Sequence, residues 1–127
     1  NVKIVSKRSF KTLDKSDFIN KSGFLVYQGF RSICPVTSQP DWGNIYLYSA
    51  TDVLNKKEIF NFLFSFRNHG GFHESCVEKI FLHIKERYKV THLEVCGRFF
   101  RRGGIDINPI RSSQKKLFFK NFREFNQ

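Results

Sequence analysis

The amino-acid sequence predicts an α+β domain in which an antiparallel sheet carries two helices on one face. Three observations predict it. Aromatic and β-branched runs separated by turn residues stand towards both ends of the chain, and two segments of helical apolar period lie between them. The length of 127 residues suits one compact domain with a real core.

Taken in order, the first twenty residues are basic and weakly periodic, and read as a linker or an edge strand. Phe24 to Phe30 and Asn44 to Ala50 ("NIYLYSA") read as a strand pair. A helix starts at Asn55, with Glu58 three residues on as a capping partner and Ile59, Phe62, Leu63 and Phe66 recurring on one face. Gly70-Gly71 ends it. A second helix begins near Phe72, with Val77, Ile80, Phe81, Ile84 and Tyr88 as its apolar stripe and Glu78, Lys79, Lys85 and Glu86 facing water, and it stops before Val90. "THLEVCGRFF" alternates Leu93, Val95, Gly97 and Phe99 with His92, Glu94, Cys96 and Arg98, the period of a half-buried strand. Arg101 to Gly104 supply a basic turn, and "IDINPI" a last short strand closed by Pro109. The expected organisation is a module over residues 21–113, preceded by the linker or edge strand of residues 1–20 and followed by a basic, aromatic tail over residues 114–127.

Twenty-two Lys and Arg against eleven Asp and Glu give a formal charge of +11, a field that attracts phosphates, nucleotides, nucleic acid or acidic membranes without choosing among them. Cys34, Cys76 and Cys96 are an odd number without C-x-x-C spacing. That pattern argues against a disulfide framework or a four-thiolate zinc site and fits a reducing, cytoplasmic setting. No apolar run reaches the roughly 18 residues that span a bilayer, so no membrane partner is expected. The sequence has no Met and begins at Asn1, as expected of a processed chain or a portion of something longer.

Chemistry gathers in three clusters. In "SICPVTSQPDWG" a thiol sits in what reads as a loop fixed by Pro35, Pro40 and Gly43, three residues after Arg31. A thiol becomes a nucleophile when a cation, a helix N-terminus or a positive cavity lowers its pKa. Otherwise Cys34 is a small buried hydrophobe, which is the reading for Cys76 and Cys96. Asp41 is the one acid of that stretch; walled by Trp42 it would stay protonated and serve as an acid, or else it merely caps the turn.

In "SFRNHGGFHES" the double glycine brings Phe72, His73 and Glu74 out together at the start of the second helix. An aromatic, an imidazole and a carboxylate in a row can clamp a heterocycle, Phe72 by stacking and Glu74 by accepting from ring N–H groups. The plainer readings are a core histidine and an acid stabilised by the helix dipole. Metal binding by His69, His73 and Cys76 is a third possibility, disfavoured because the glycine pair keeps the two histidines off one helical face. "RFFRRGGIDINP" sets arginines and glycines at a strand end, where guanidinium forks and backbone N–H groups can meet a phosphate, or where a solvated turn or a nucleic-acid contact lies.

The segments "CPVTSQPDWG", "SFRNHGGFHE" and "RRGGIDINP", in this order between about Phe24 and Ser112, resemble the signature segments of the 7-cyano-7-deazaguanine reductases, NADPH-dependent nitrile reductases of queuosine biosynthesis. The resemblance implies the tunnelling fold (T-fold), a cytoplasmic oxidoreductase and NADPH as cofactor. It implies that Cys34 attacks the nitrile carbon of 7-cyano-7-deazaguanine to form a thioimide that is reduced to the primary amine, with Asp41 as proton donor. It further implies that His73 and Glu74, with Phe72 beside them, bind the substrate, and that Arg102 and Gly103, with Arg101 as an added candidate, bind NADPH; no metal is implied.

One departure matters. The family's E-S-K-S type segment, expected just before the "SFRN" helix in single-module members, is absent; that region reads "NKKEIFNF". In bimodular members that segment belongs to the first module, so the chain resembles the second, catalytic-cysteine half. The partners then expected are an N-terminal T-fold module missing from this chain and further copies in a homo-oligomer, without direct nucleic-acid contact. A catalytically silent T-fold half and a basic nucleic-acid-binding module, to which +11 and sixteen phenylalanines lend a footprint, stand as alternatives.

Overall fold

A computed structural model describes residues 2–3, 11–12, 23–50, 54–100, 107–114 and 122–123. Its strands are β1 (Val2–Lys3), β2 (Lys11–Thr12), β3 (Phe24–Ile33), β4 (Pro40–Ser49), β5 (Leu93–Phe99), β6 (Ile110–Ser112) and β7 (Phe122–Arg123), and its helices α1 (Lys56–Phe64) and α2 (His73–Tyr88). Five strands form an antiparallel sheet in the order β1-β6-β5-β4-β3, while β2 and β7 pair in parallel as a separate ribbon. This is the expected α+β architecture.

Both helices lie on one face because their apolar stripes need the same cover. Ile59 and Leu63 of α1 and Cys76, Val77, Ile80, Phe81 and Ile84 of α2 join Leu25, Phe30, Ile45, Leu47, Val95 and Phe99 of the sheet in one core. Each large aliphatic side chain buried there contributes roughly 1.5–3 kcal/mol. Asn55 caps α1, its Oδ1 accepting from the Glu58 N–H at 3.0 Å as the sequence suggested. That helix ends at Phe64, earlier than Gly70-Gly71, and Ser65–Asn68 continue as a 3-10 turn that still buries Phe66. At the far end of α2, Lys89 takes a left-handed conformation that stops the helix before Val90.

Three strand expectations are corrected. The hairpin is longer than Phe24 to Phe30 and Asn44 to Ala50, because Pro40 and Gly43 are strand residues rather than loop residues. A proline is tolerated as a strand's first residue, where its missing N–H is not needed by the ladder. β5 is not half-buried: all seven of its residues are buried, including Glu94, Cys96 and Arg98 on the face away from the helices. Last, Pro109 precedes the final core strand instead of closing it; its carbonyl accepts from the Gly97 N–H at 2.9 Å, and the ladder begins at Ile110.

One irregularity sets the geometry of the hairpin's end. Tyr27 pairs with Ile45 but Phe30 pairs with Gly43, so β3 carries one extra residue, a bulge. Gly29 occupies it with φ +73, the left-handed region where a side chain is disfavoured, and its N–H donates to Asn44 Oδ1 at 3.1 Å. Beyond the bulge the alternation puts Phe30 and Ser32 on the helix face, opposite Gly43 and Asp41.

Candidate active site

The end of this hairpin and the start of α2 are drawn together by backbone hydrogen bonds. The Ile33 N–H donates to the His69 carbonyl at 2.8 Å, and the Gly71 N–H donates to the Ile33 carbonyl at 3.0 Å. The Gly70-Gly71 link is thereby tied to the last residue of β3, which fixes Cys34 beside Phe72, the residue preceding α2. Six residues, Cys34 to Gln39, connect β3 to β4, and the Cys34 N–H donates to the Gln39 carbonyl while the Ser38 N–H donates to the Cys34 carbonyl, at 2.8 and 2.9 Å. The loop is therefore closed on itself at the Cys34 backbone.

Cys34 is half-buried, whereas Cys76 and Cys96 have no exposed surface. Its thiol is held below the ordinary range by hydrogen bonds from the Thr37 hydroxyl and then from the Thr37 and Val36 backbone N–H groups; desolvation and the charge of Asp41 oppose this with less effect. The local loop, and not Arg31, is the cause. Arg31 lies across the ladder from Trp42 and its guanidinium carbon stands 5.6 Å from that ring. Burial pushes the Cys76 thiol up, and the Cys96 thiol up to about 12.

Asp41 sits on β4, not in the loop, and is 5% exposed on the helix face. Strand alternation sends Trp42 to the opposite face, 38% exposed, so Trp42 is not the wall of Asp41. The neighbour that meets the carboxylate is His73, whose Nε2 stands 3.2 Å from Asp41 Oδ2. The His73 ring is stacked on Phe99, with centroids 4.0 Å apart and planes 10° from parallel. Glu74 lies in the first turn of α2, where a negative charge suits the helix dipole, and Phe72 is 54% exposed.

Cys34, Asp41, Phe72, His73 and Glu74, with Ile107, line a single cavity of about 340 Å3. Five of the residues singled out in the sequence are thus brought together. Arg101, Arg102 and Gly103 lie outside the described residues. The trio His69, His73 and Cys76 does not converge: His69 Nε2 stands 3.1 Å from Lys79 Nζ, His73 turns to Asp41, and Cys76 is buried in the core. Sequence reasoning missed Thr37, Phe99 and Ile107. Thr37 alone left a local sign, a hydroxyl three residues after a thiol in a proline-flanked loop; the other two arrive through long-range pairing.

Chemically, the arrangement offers a thiol biased towards thiolate, a carboxyl group able to carry a proton, and a carboxylate with an aromatic ring suited to a flat heterocycle bearing N–H donors. A volume of about 340 Å3 is at the lower end of small-molecule sites, roughly 300–1,000 Å3.

Comparison with known proteins gives the family and the fold. A family profile described as QueF-like protein matches residues 40–118. NADPH-dependent 7-cyano-7-deazaguanine reductases of Burkholderia multivorans and Burkholderia vietnamiensis are 44% identical to this chain over 103 residues, which is 81% of this chain and 38% of each relative. The chain therefore spans well under half the length of these curated relatives. Among solved structures, the archaeosine synthase QueF-Like in its apo form superposes with a TM-score of 0.65 at 15% identity, over 77% of this chain and all of that one. That likeness establishes the fold, which is the T-fold.

Proposed function

The chain belongs to the QueF-like protein family, and from that premise we propose that it is the catalytic-cysteine module of an NADPH-dependent 7-cyano-7-deazaguanine reductase. The observation that carries the reading is the single cavity in which a thiol of lowered pKa meets Asp41, Phe72, His73 and Glu74. The names of the 44% identical relatives support the substrate and the cofactor.

In this reading Phe72 stacks on the deazapurine and Glu74 accepts from its N–H donors, so that the cyano group points to Cys34. The Cys34 thiolate adds to the nitrile carbon: one carbon–sulfur bond forms, one carbon–nitrogen π bond breaks, and the nitrogen takes a proton from Asp41 to give a neutral thioimide. His73, fixed against Phe99, keeps the Asp41 carboxyl oriented towards that nitrogen and helps to close the substrate side of the cavity. A cavity of about 340 Å3 is of the size that takes a small heterocycle. When bound, NADPH would supply hydride, one from each of two cofactor molecules in succession, and Cys34 would leave as thiolate when its carbon–sulfur bond breaks, so that the primary amine is released. Arg101, Arg102 and Gly103 are proposed to hold it, together with groups of a further T-fold module that brings the E-S-K-S type segment.

Mass spectrometry tests the reading. Incubating the longer protein that contains this chain with 7-cyano-7-deazaguanine in the absence of NADPH is expected to add the mass of one nitrile to Cys34, with a new near-ultraviolet absorbance, and Cys34→Ala to abolish both. An adduct on Cys76 or Cys96, or none at all under conditions of NADPH-dependent turnover, overturns it. The 127-residue chain alone is expected to turn over poorly, and full NADPH oxidation by it contradicts the need for a second module.

A further inference from the structure

We infer that Arg31, Trp42 and Arg67 form a phosphate-binding site on the outer side of the β3–β4 hairpin, distinct from the Cys34 cavity. Arg31 and Trp42 are directly paired across the two strands, and Arg67 approaches from the 3-10 turn. The guanidinium carbons of both arginines stand 5.6 Å from the centre of the Trp42 ring, and that of Arg67 stands 5.2 Å from the Phe64 ring as well. Trp42 and Phe64 are 38% and 58% exposed, so the cluster opens to solvent.

Two like charges gathered on one indole repel, and such a pair is normally compensated by a carboxylate. Among the described residues the acids that form ion pairs are engaged elsewhere: Asp41 meets His73 on the other face of the sheet, Glu58 pairs with Arg87, and Glu78 with Arg111. No described carboxylate pairs with Arg31 or Arg67. Arg31 Nε is shielded from water and has no hydrogen-bond acceptor. The aromatic rings hold the guanidinium forks in place, which lowers the entropy lost when they grip a ligand. A phosphate fits this better than a single carboxylate, because its charge approaches −2 and its oxygens can accept from two planar forks at once.

The chemistry admits two sources. Arg31 is three residues from Cys34, on the order of 10 Å of extended chain, so a dinucleotide whose reacting ring enters the cavity can leave a phosphate here. Inorganic phosphate or pyrophosphate is the other source, and the site itself does not depend on the reductase reading.

Trp42 is the one tryptophan of the chain and reports on the site directly. Titrating the 127-residue chain with sodium pyrophosphate at fixed ionic strength is expected to change its emission saturably. Arg31→Gln and Arg67→Gln should each raise the midpoint about tenfold or more, Arg67→Lys should fall between, and far-ultraviolet circular dichroism should remain that of the parent. Calorimetry with NADP+ separates the sources: binding weakened by the same variants assigns the dinucleotide, and pyrophosphate binding without NADP+ binding assigns the free anion. Either result keeps the site. An equal response to sodium chloride, variants that titrate like the parent, or binding of a poly-glutamate peptide with no response to pyrophosphate overturns it, the last in favour of an acidic protein segment.

Discussion

His73 Nε2 stands 3.2 Å from Asp41 Oδ2, and so joins the first turn of α2 to the second residue of β4 at the one place where both reach the Cys34 cavity. The contact has a supporting layer: the imidazole lies flat on Phe99, and Phe99 is paired with Gly43 across the β4–β5 ladder. The Asp41 carboxyl is 5% exposed and the stacked His73 ring stands beside it, so the proposed proton donor is enclosed at the edge of the cavity.

Replacing the acid while keeping its shape should isolate that role. Asp41→Asn is expected to slow formation of the Cys34 adduct by about 10²–10⁴, with ground-state binding of the nitrile nearly unchanged. Stopped-flow absorbance at several nitrile concentrations separates the two quantities. An adduct rate equal to the parent's removes Asp41 from proton transfer, and a loss confined to binding makes it a substrate contact.

The loop should control the thiol. Thr37→Val removes the largest cause of the lowered Cys34 pKa, so the thiol moves up towards its ordinary value and less of it is ionised at neutral pH. The pH profile of alkylation by iodoacetamide should then shift to higher pH, with the rate at neutral pH reduced. Cys76 and Cys96, buried and pushed up, should stay unlabelled in both proteins until they are unfolded. A profile that does not move, or moves down, contradicts the assignment to Thr37.

Local pattern carried the helices. Asn55 and Glu58 are three residues apart and actually meet, and the stripe from Val77 to Ile84 is the buried face of α2, because capping and helical period depend on near neighbours only. The strands were less legible for the same reason. Pro40 and Gly43 carry turn chemistry, yet one starts a strand and the other gives β5 room to approach, facts set by partners more than fifty residues away in Gly43's case. Glu94, Cys96 and Arg98 alternate like a solvated face but are fully buried. The candidate site was legible as three motifs, not as one cavity: Cys34 and His73 meet through the bridge of Ile33 to Gly70, which no spacing displays.

Gly43 should therefore tolerate no side chain. A Cβ there would stand 2.6 Å from the Arg98 carbonyl oxygen and 2.9 Å from the Phe99 Cα, both backbone atoms that cannot rotate away. Gly43→Ala is expected to lower unfolding free energy by about 1–3 kcal/mol, measured in urea, and to slow adduct formation by shifting Phe99 under His73. A variant within about 0.5 kcal/mol of the parent would mean that the β4–β5 spacing yields easily.

Stability should fall on the alkaline side, with Cys96 responsible for part of the fall. Burial holds this thiol protonated in the folded chain up to about 12, with Arg98 opposing and Glu94 assisting, whereas in the unfolded chain it ionises near 8.5, roughly the ordinary thiol value. Between these values the unfolded state binds fewer protons than the folded one, so the free energy of unfolding decreases as pH rises. The contribution is complete below the unfolded value and is lost progressively towards the folded one. Cys96→Ala removes the titrating group at the cost of a cavity whose penalty does not change with pH. The gap in unfolding free energy between parent and variant, measured in urea, should thus be widest near neutrality and narrow by about pH 10, the lysines and tyrosines being common to both proteins. A gap of constant width would show that the Cys96 thiol ionises alike in the two states, as a solvent-reached thiol would.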